Sequence, residues 1–224
     1  MRFHWFGLVA LGACMPMRVP VPAPLADAPE WVVRTGGWRA DRLRFGPFEA
    51  HRIDREVRRR GGILDAVSGK RETQQEYEFL LRDTASTEDL WKVSCDQRDV
   101  ERAVGLRGVN VQLDDRRSLD CRFQAAGDSA PEWRLSMGTR GDRMPAGELR
   151  LDSTRYQVQA LNPGGESGCC EIAGYLVRAD GGPLVLVDRA DRGRVRLSSV
   201  VTDRERPLLA ALAAALLIRE DLRE

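Results

Sequence analysis

The sequence predicts a mainly β protein, in which an antiparallel barrel-like sheet of about ten to twelve strands surrounds a buried carboxy-terminal hydrophobic helix. Two observations support this fold class: a continuous apolar run at residues 208–218, and alternating apolar and polar residues through most of the preceding chain. Alternation with a period of two marks strands that bury one face. A helix without a polar stripe needs protein around its whole circumference. The alternative, an open β-sandwich with the helix packed on one face, would call for a polar stripe on the helix.

The helix is predicted at about residues 203–222. Leucine and alanine, which dominate residues 208–218, lose little rotamer freedom in a helix. The apolar run spans only about 16 Å at the helical rise per residue, so it is too short to cross a bilayer. Thr202 and Glu205 have the spacing of a capping box, and Pro207 is tolerated in a first helical turn. We therefore expect a core helix that starts soon after Thr202.

Residues 1–13 have the layout of a secretory signal peptide, with Arg2, a short apolar stretch and then small residues. The sequence Leu11-Gly12-Ala13-Cys14 resembles the lipobox of bacterial lipoproteins. The resemblance implies that Cys14 carries acyl chains such as palmitate, starts the mature chain and makes the membrane a partner. Met15, where an aspartate would signal inner-membrane retention, implies the outer membrane in a host with two membranes. The alternative is an ordinary signal peptide with an incidental cysteine.

A proline-rich tether is predicted at residues 14–30, before a single β-rich domain at residues 31–224. It contains five prolines: Pro16, Pro20, Pro22, Pro24 and Pro29. Proline fixes its own φ and lacks an N–H donor, so we expect an extended spacer that joins neither helix nor sheet. Such a spacer would hold the domain roughly a few tens of ångströms from the membrane. The alternative is a proline-rich ligand for a binding domain.

Two similar hairpins give the clearest strand pattern. The first joins Tyr77-x-Phe79-x-Leu81 to Trp91-x-Val93-x-Cys95, and the second joins Leu119-x-Cys121-x-Phe123 to Trp133-x-Leu135-x-Met137. Both returning strands carry tryptophan, a basic residue, an aliphatic residue, serine and a sulfur-bearing residue in the same order. This order suggests an internal repeat.

The remaining strands are predicted from shorter patterns. They lie at residues 31–33, 43–48, 148–151, 155–161, 172–178, 183–188 and 194–200. Residues 55–62 read only as a basic stretch that ends in glycine, and residues 67–72 are predicted as a loop. Residues 184–187 are all apolar and do not alternate, which predicts a strand buried on both faces, as expected if a helix lies inside a closed sheet.

If Cys14 is lipidated, four cysteines remain. Cys95 and Cys121 occupy the same phase of neighbouring strands, so they are a candidate disulfide; the alternative is two buried thiols. Cys169 and Cys170 follow a glycine-rich loop and are a candidate vicinal disulfide or metal-binding pair. Their alternative is the start of a strand with one cysteine on each face.

Composition gives little support to an enzyme or a nucleic-acid-binding protein. The 35 basic and 34 acidic residues nearly cancel, so no strong field favours nucleic acid. With His4 in the signal peptide, His51 remains, near Glu49 and Asp54. We find no nucleophile elbow, phosphate-binding glycine loop or zinc helix motif. No catalytic residue, metal ligand or cofactor is assigned, and a non-enzymatic protein is expected.

The layout of residues 40–222 resembles the tubby-like barrel of tubby carboxy-terminal domains, LURP-one-related proteins and phospholipid scramblases. The resemblance rests on a strand-rich chain that ends in a Leu/Ala helix, and it implies a closed antiparallel sheet around that helix. Known tubby-like domains bind phosphoinositides through basic residues, but none of those positions can be matched here. We expect a membrane-anchored binding or structural module of the cell envelope with a lipid or envelope protein as partner. The alternative is a lipid-handling protein that binds an acyl chain or phospholipid headgroup.

Overall fold

A computed structural model describes residues 18–36, 41–60, 70–106, 109–127, 132–140, 144–151, 153–162, 172–180 and 182–219. In these ranges thirteen strands form one antiparallel sheet, followed by one α-helix. The strands are β1 (Glu30–Val32), β2 (Arg34–Gly36), β3 (Arg42–Phe45), β4 (Phe48–Arg60), β5 (Lys70–Asp83), β6 (Asp89–Leu106), β7 (Val109–Ala125), β8 (Glu132–Arg140), β9 (Ala146–Leu151), β10 (Thr154–Leu161), β11 (Gly174–Ala179), β12 (Gly182–Asp188) and β13 (Arg194–Leu197). The helix is α1 (Arg206–Ile218).

The sheet is a nearly closed up-and-down barrel. Each strand from β2 to β13 pairs with the next one along the chain, and β1 returns to pair with β13. Val33 joins β1 at one edge to β2 at the other, and its N–H donates to the carbonyl oxygen of Gly193 at 3.0 Å. The predicted fold class, a barrel-like sheet with a carboxy-terminal helix, is therefore confirmed. The alternative of an open sandwich is wrong.

Helix α1 fills the barrel interior. Each residue from 208 to 216 is at most 3% exposed, and Ile218 is 1% exposed. The helix contacts β4, β6, β7 and β12, which lie on different sides of the barrel. Six of its thirteen residues are leucine or isoleucine and five are alanine, and the alanines allow strands to approach closely. The absence of a polar stripe thus matches a helix enclosed from every direction.

The predicted capping box forms just before the helix. The N–H of Thr202 donates to the carboxylate of Glu205 at 3.2 Å, and the N–H of Glu205 donates to Thr202 Oγ1 at 3.3 Å. The hydrogen bonds from Thr202 and from Tyr156 lower the pKa of Glu205. Because the box precedes Arg206, the helix is shorter than the predicted 203–222, although residues 220–224 lie outside the described ranges.

Three local predictions are corrected. Residues 43–48 form a tight hairpin instead of one strand, because β3 ends at Phe45 and β4 begins at Phe48. Gly46 has a φ of +52°, and a Cβ there would lie 2.4 Å from the ring of Trp31, so only glycine fits this turn. Residues 55–60 belong to β4, and residues 70–72 belong to β5 rather than to a loop.

Strands β6 and β7 extend beyond their neighbours. They contain 18 and 17 residues, and the pairing of β7 with β8 ends where Arg116 lies opposite Arg140. Past Arg102, which pairs with Lys70 of β5, residues 103–106 pair with residues 109–112. No other strand of the described ranges joins this pair. We call residues 103–106 and 109–112 the projecting hairpin.

Candidate functional site

The chain before β1 packs on the outside of the barrel. Val19 is 4% exposed, Leu25 is 0% exposed and Ala28 is 9% exposed. They form a second apolar cluster with residues of β11, β12 and the segment before β11: Ala173, Leu176 and Leu186. We call residues 18–30 the strap.

The strap corrects the prediction of an extended tether at residues 14–30. Residues 18–30 are part of the folded domain, and the N–H of Leu25 donates to the carbonyl oxygen of Pro22 at 2.8 Å in a short 3-10 turn, Ala23–Leu25. The strap packs on the barrel because the outer face of β11 and β12 is apolar here. Leu176 and Leu186 point away from the main core, and Leu25 covers them. The strand at residues 184–187 does bury residues on both faces, as predicted, but the strap provides the outer cover.

Arg196 fixes the strap to the sheet. Its Nη1 donates to the carbonyl oxygens of Ala26 and Ala28 at 3.1 and 2.9 Å, and its Nη2 donates to the Glu30 carboxylate at 2.8 Å. A Cβ at Gly174 would lie 2.8 Å from Val19 Cγ2 and 2.3 Å from the carbonyl oxygen of Val187. Glycine at this position therefore lets the strap and β12 both approach β11.

The strap starts at the end of the barrel where α1 terminates, which we call the proximal end. Arg18 forms an exposed ion pair with Asp191 at 3.7 Å. Asp191 belongs to the turn that contains Gly193, and Gly193 lies beside Leu217 near the end of α1. The amino-terminal part of the described chain and the carboxy-terminal end of the helix are thus close together.

Polar side chains close the proximal end beneath the helix. The hydroxyl of Tyr77 donates to the carbonyl oxygen of Ala215 at 2.9 Å, and burial raises the pKa of Tyr77. Arg189 Nη2 donates to the carbonyl oxygen of Arg219 at 2.9 Å, and Arg219 Nη1 donates to the hydroxyl of Tyr175 at 3.0 Å. A buried cation at this position also suits the negative end of the helix dipole.

The inner face of β5, β6 and β7 becomes polar beyond Tyr77. Gln75, Gln97, Asp99 and Arg117 are all buried, at 0 to 7% exposed. Asp99 Oδ1 lies 3.6 Å from Arg117 Nε across β6 and β7. Along these strands, the buried polar residues come after the last apolar residues that surround the helix. The long strands therefore extend out of the barrel at the proximal end. The projecting hairpin, which continues β6 and β7, therefore lies at the same end as the start of the strap.

The structure joins Cys95 and Cys121 by a disulfide bond between directly opposed residues of β6 and β7. Both cysteines are buried, and Cys95 lies opposite Tyr77 of β5. The other candidate residues, Cys14, Cys169 and Cys170, lie outside the described residues. Of the two predicted cysteine pairs, the structure therefore describes one, Cys95–Cys121, and shows it as a disulfide.

The outer face of β7, β8, β9 and β10 carries a row of arginines. Strand register places the four side by side, all exposed: Arg122, Arg134, Arg150 and Arg155. Like charges directly opposite in a sheet are unfavourable. Glu132 pairs with Arg134 at 2.8 Å, and Glu148 pairs with Arg150. We call these four residues the arginine row; their planar guanidinium groups suit bidentate binding of phosphate or carboxylate groups.

His51 has a partner that its sequence neighbours did not indicate. Its Nε2 lies 2.7 Å from Asp89 Oδ1 at the start of β6. Glu49, instead of facing His51, accepts hydrogen bonds from Arg44 and Arg82 at 3.1 and 2.8 Å. Burial of Glu49 favours its neutral form, but these two arginines outweigh that effect and lower its pKa. Glu49 therefore forms ion pairs with arginines of the neighbouring strands, and Asp89 forms a hydrogen bond with His51.

Comparison with known proteins finds no matching family model, no matching curated protein and no matching solved structure. Within the described ranges, no helix has both the length and the apolar character needed to span a membrane. The same ranges contain no group of three or more His, Cys, Asp or Glu side chains arranged to hold a metal ion. The lipobox and the tubby-like resemblance stay predictions.

Proposed function

We propose that this protein is a bacterial lipoprotein, anchored through acyl chains on Cys14, whose barrel acts as a non-enzymatic binding or structural module of the cell envelope. The observation that carries the proposal is the position of the lipobox relative to the fold. Val19 is already buried against the barrel, five residues after Cys14. Cleavage before Cys14 would therefore leave the whole described fold intact, with the anchor next to it.

The disulfide supports export. Disulfides persist in oxidising compartments and are rare in the cytosol, and Cys95–Cys121 is a buried cross-strand bond. An oxidising compartment fits a domain that lies outside the inner membrane. The outer membrane, in a host that has two membranes, is supported by Met15, which stands where an aspartate would signal inner-membrane retention.

The packed interior supports a module that acts through its surface. Helix α1 occupies the space that a ligand would use in an empty barrel, and residues 208–216 are almost completely buried. The interior of this barrel is therefore packed like an ordinary protein core and is not an open binding cavity. Partners are therefore expected to contact the outer face, the strap or the proximal end.

The alternative function is lipid or phospholipid binding by a tubby-like barrel. The arginine row favours it, because four adjacent guanidinium groups could bind an anionic headgroup without any space inside the barrel. Native mass spectrometry of the chain that begins at residue 15 separates the two functions. A co-purified phospholipid would support the alternative, whereas an unliganded mass would support the anchored module.

Metabolic labelling with radioactive palmitate tests the anchor. We expect label on the wild-type chain and none on Cys14→Ser, because the thiol of Cys14 is the acceptor. The Cys14→Ser chain should also move from the membrane fraction to the soluble fraction.

Cys170→Ser is the matched control, since it removes a different cysteine, and it should keep the label. Equal labelling of the wild-type and Cys14→Ser chains would contradict the proposed function.

A further inference from the structure

We propose that a cavity beneath the strap binds a small zwitterionic molecule with an aliphatic side chain, such as a free apolar amino acid. Its ammonium group would contact Asp188, and its carboxylate would contact Arg18 and Arg194. The inference rests on the proposed binding function and gives that function a ligand. It does not require acylation of Cys14, so the anchor and the ligand are tested by separate experiments.

The space between the strap and the outer face of β12 and β13 is a cavity of about 210 Å³. We call it the strap cavity. Val19 and Val21 of the strap and Leu186 of β12 provide its apolar lining. A cavity of about 150 Å³ can hold benzene, so the strap cavity has room for a somewhat larger molecule. An apolar lining with a few polar groups is typical of a small-molecule site.

Asp188 contributes a buried carboxylate to the strap cavity. The residue is 7% exposed, and its Oδ1 accepts a hydrogen bond from the N–H of Ala190 at 2.9 Å. Within the described ranges, Oδ2 has neither a hydrogen bond nor an ion pair. Burial raises the pKa of this carboxyl group, although the Ala190 N–H and the nearby Arg194 and Arg18 act in the opposite direction. Buried charges in proteins are normally paired, and an ammonium group in the cavity would provide the partner.

The guanidinium groups of Arg194 and Arg18 keep N–H donors for a carboxylate. Arg194 lies directly opposite Asp188 in the register of β12 and β13, yet among the described residues it pairs with Glu30 at 3.6 Å and Asp191 at 3.9 Å instead. Arg18 lies 3.7 Å from Asp191. These distances exceed the usual length of an N–H···O hydrogen bond. A carboxylate in the cavity can accept shorter, charge-assisted hydrogen bonds from both arginines.

The charges around the strap cavity favour a zwitterion over a simple anion or cation. A simple cation would pair with Asp188 but would also be repelled by Arg18 and Arg194. A simple anion would pair with the arginines but would be repelled by the Asp188 carboxylate. A molecule that carries both groups complements both sides of the cavity. Its aliphatic part would then contact the apolar lining.

Isothermal titration calorimetry on the chain that begins at residue 15, which contains every described residue, tests the inference with three probes. Leucine is the zwitterion. Isocaproate has the same side chain without the ammonium group, and isopentylamine has it without the carboxylate. We expect leucine to bind at least about tenfold more tightly than either analogue, because each analogue loses one charge pair. Failure of leucine to bind, or an analogue that binds as tightly as leucine, would overturn the inference.

Substitutions assign the two charge contacts. Asp188→Asn keeps an oxygen for the Ala190 N–H but removes the charge, so it should weaken leucine binding at least about tenfold without weakening isocaproate binding. Arg194→Gln should weaken the binding of both. Asp180→Asn, at an exposed position just after β11, is the matched control and should bind leucine like the wild-type chain.

Circular dichroism shows whether each variant is folded. A folded Asp188→Asn chain with wild-type affinity for leucine would overturn the inference. If Asp188→Asn does not fold, the three probes on the wild-type chain decide the outcome by themselves. Palmitate labelling tests the anchor independently, so a labelled chain that does not bind leucine would overturn the strap cavity as a ligand site and leave the anchor intact.

Discussion

Replacement of Leu212 by aspartate is expected to prevent folding of the barrel at neutral pH. Leu212 is 0% exposed and lies in the middle of the enclosed run of α1. An ionised carboxylate at this position would be buried without a partner among alanine and leucine side chains, at a cost of several kcal/mol. Together with the lost packing of leucine, at about 2–5 kcal/mol, this approaches or exceeds the whole stability of an ordinary domain, about 5–15 kcal/mol.

Circular dichroism and chemical denaturation of the purified domain measure this effect. Leu212→Met is the matched control, because it conserves volume and should cost less than about 1.5 kcal/mol. We expect a cooperative unfolding transition for Leu212→Met and none for Leu212→Asp. A folded Leu212→Asp domain with near-native stability would mean that water reaches this side of the helix, which would contradict the enclosed position of α1.

Leu25→Ala is expected to lower the free energy of unfolding by about 2–4 kcal/mol. Leu25 is completely buried between the strap and the outward side chains of β11 and β12. The substitution removes a completely buried side chain from the cluster that contains Leu176 and Leu186. The hydrogen bonds from Arg196 to the strap carbonyl groups limit how far the strap can move to fill the space.

Val21→Ala provides the comparison for Leu25→Ala. Val21 lies in the same segment but is 40% exposed, so its truncation should change stability by less than about 1 kcal/mol. Urea denaturation of both variants measures the difference. Equally small effects of the two substitutions on the free energy of unfolding would show that residues 18–30 contribute little to stability. That result would support the predicted extended tether.

The fold class was predictable because its determinants are local patterns. The apolar run at 208–218 has no polar stripe, and the helix is enclosed. In the strands that contain Phe79 and Phe123, apolar and polar residues alternate regularly, and the apolar residues lie in the core. Thr202 and Glu205 form the capping box that their spacing predicted.

Strands β4 and β5 were harder to predict because their inner face changes character along its length. Beyond Tyr77, the inward positions carry Gln75 on β5 and, directly opposite, Gln97 on β6, and both are buried yet polar. Where both faces of a strand carry polar residues, hydrophobicity does not alternate along the sequence, and the segment resembles a loop. Pairing with a long neighbouring strand, which a sequence does not display, keeps residues 70–75 extended.

The candidate site was only partly predictable. Cys95 and Cys121 could be aligned because both lie in alternating strands, whereas the strap was obscured by its prolines. Val19 and Leu25 are apolar residues within a proline-rich segment, and their burial depends on Leu176 and Leu186, more than 140 positions later. The arginine row likewise needs strand register, because its members lie on four different strands.

The pairing of β1 with β13 has a consequence for the order of folding. Eleven of the strand pairings join neighbours along the chain and can form as soon as each hairpin is complete, whereas Glu30 must find Arg196, which lies 166 positions away. Contacts between distant positions carry the largest entropy cost and form slowly. A chain made from its amino terminus therefore leaves β1 without its partner until residues 194–197 have been made, and closure of the barrel follows formation of the hairpins between them.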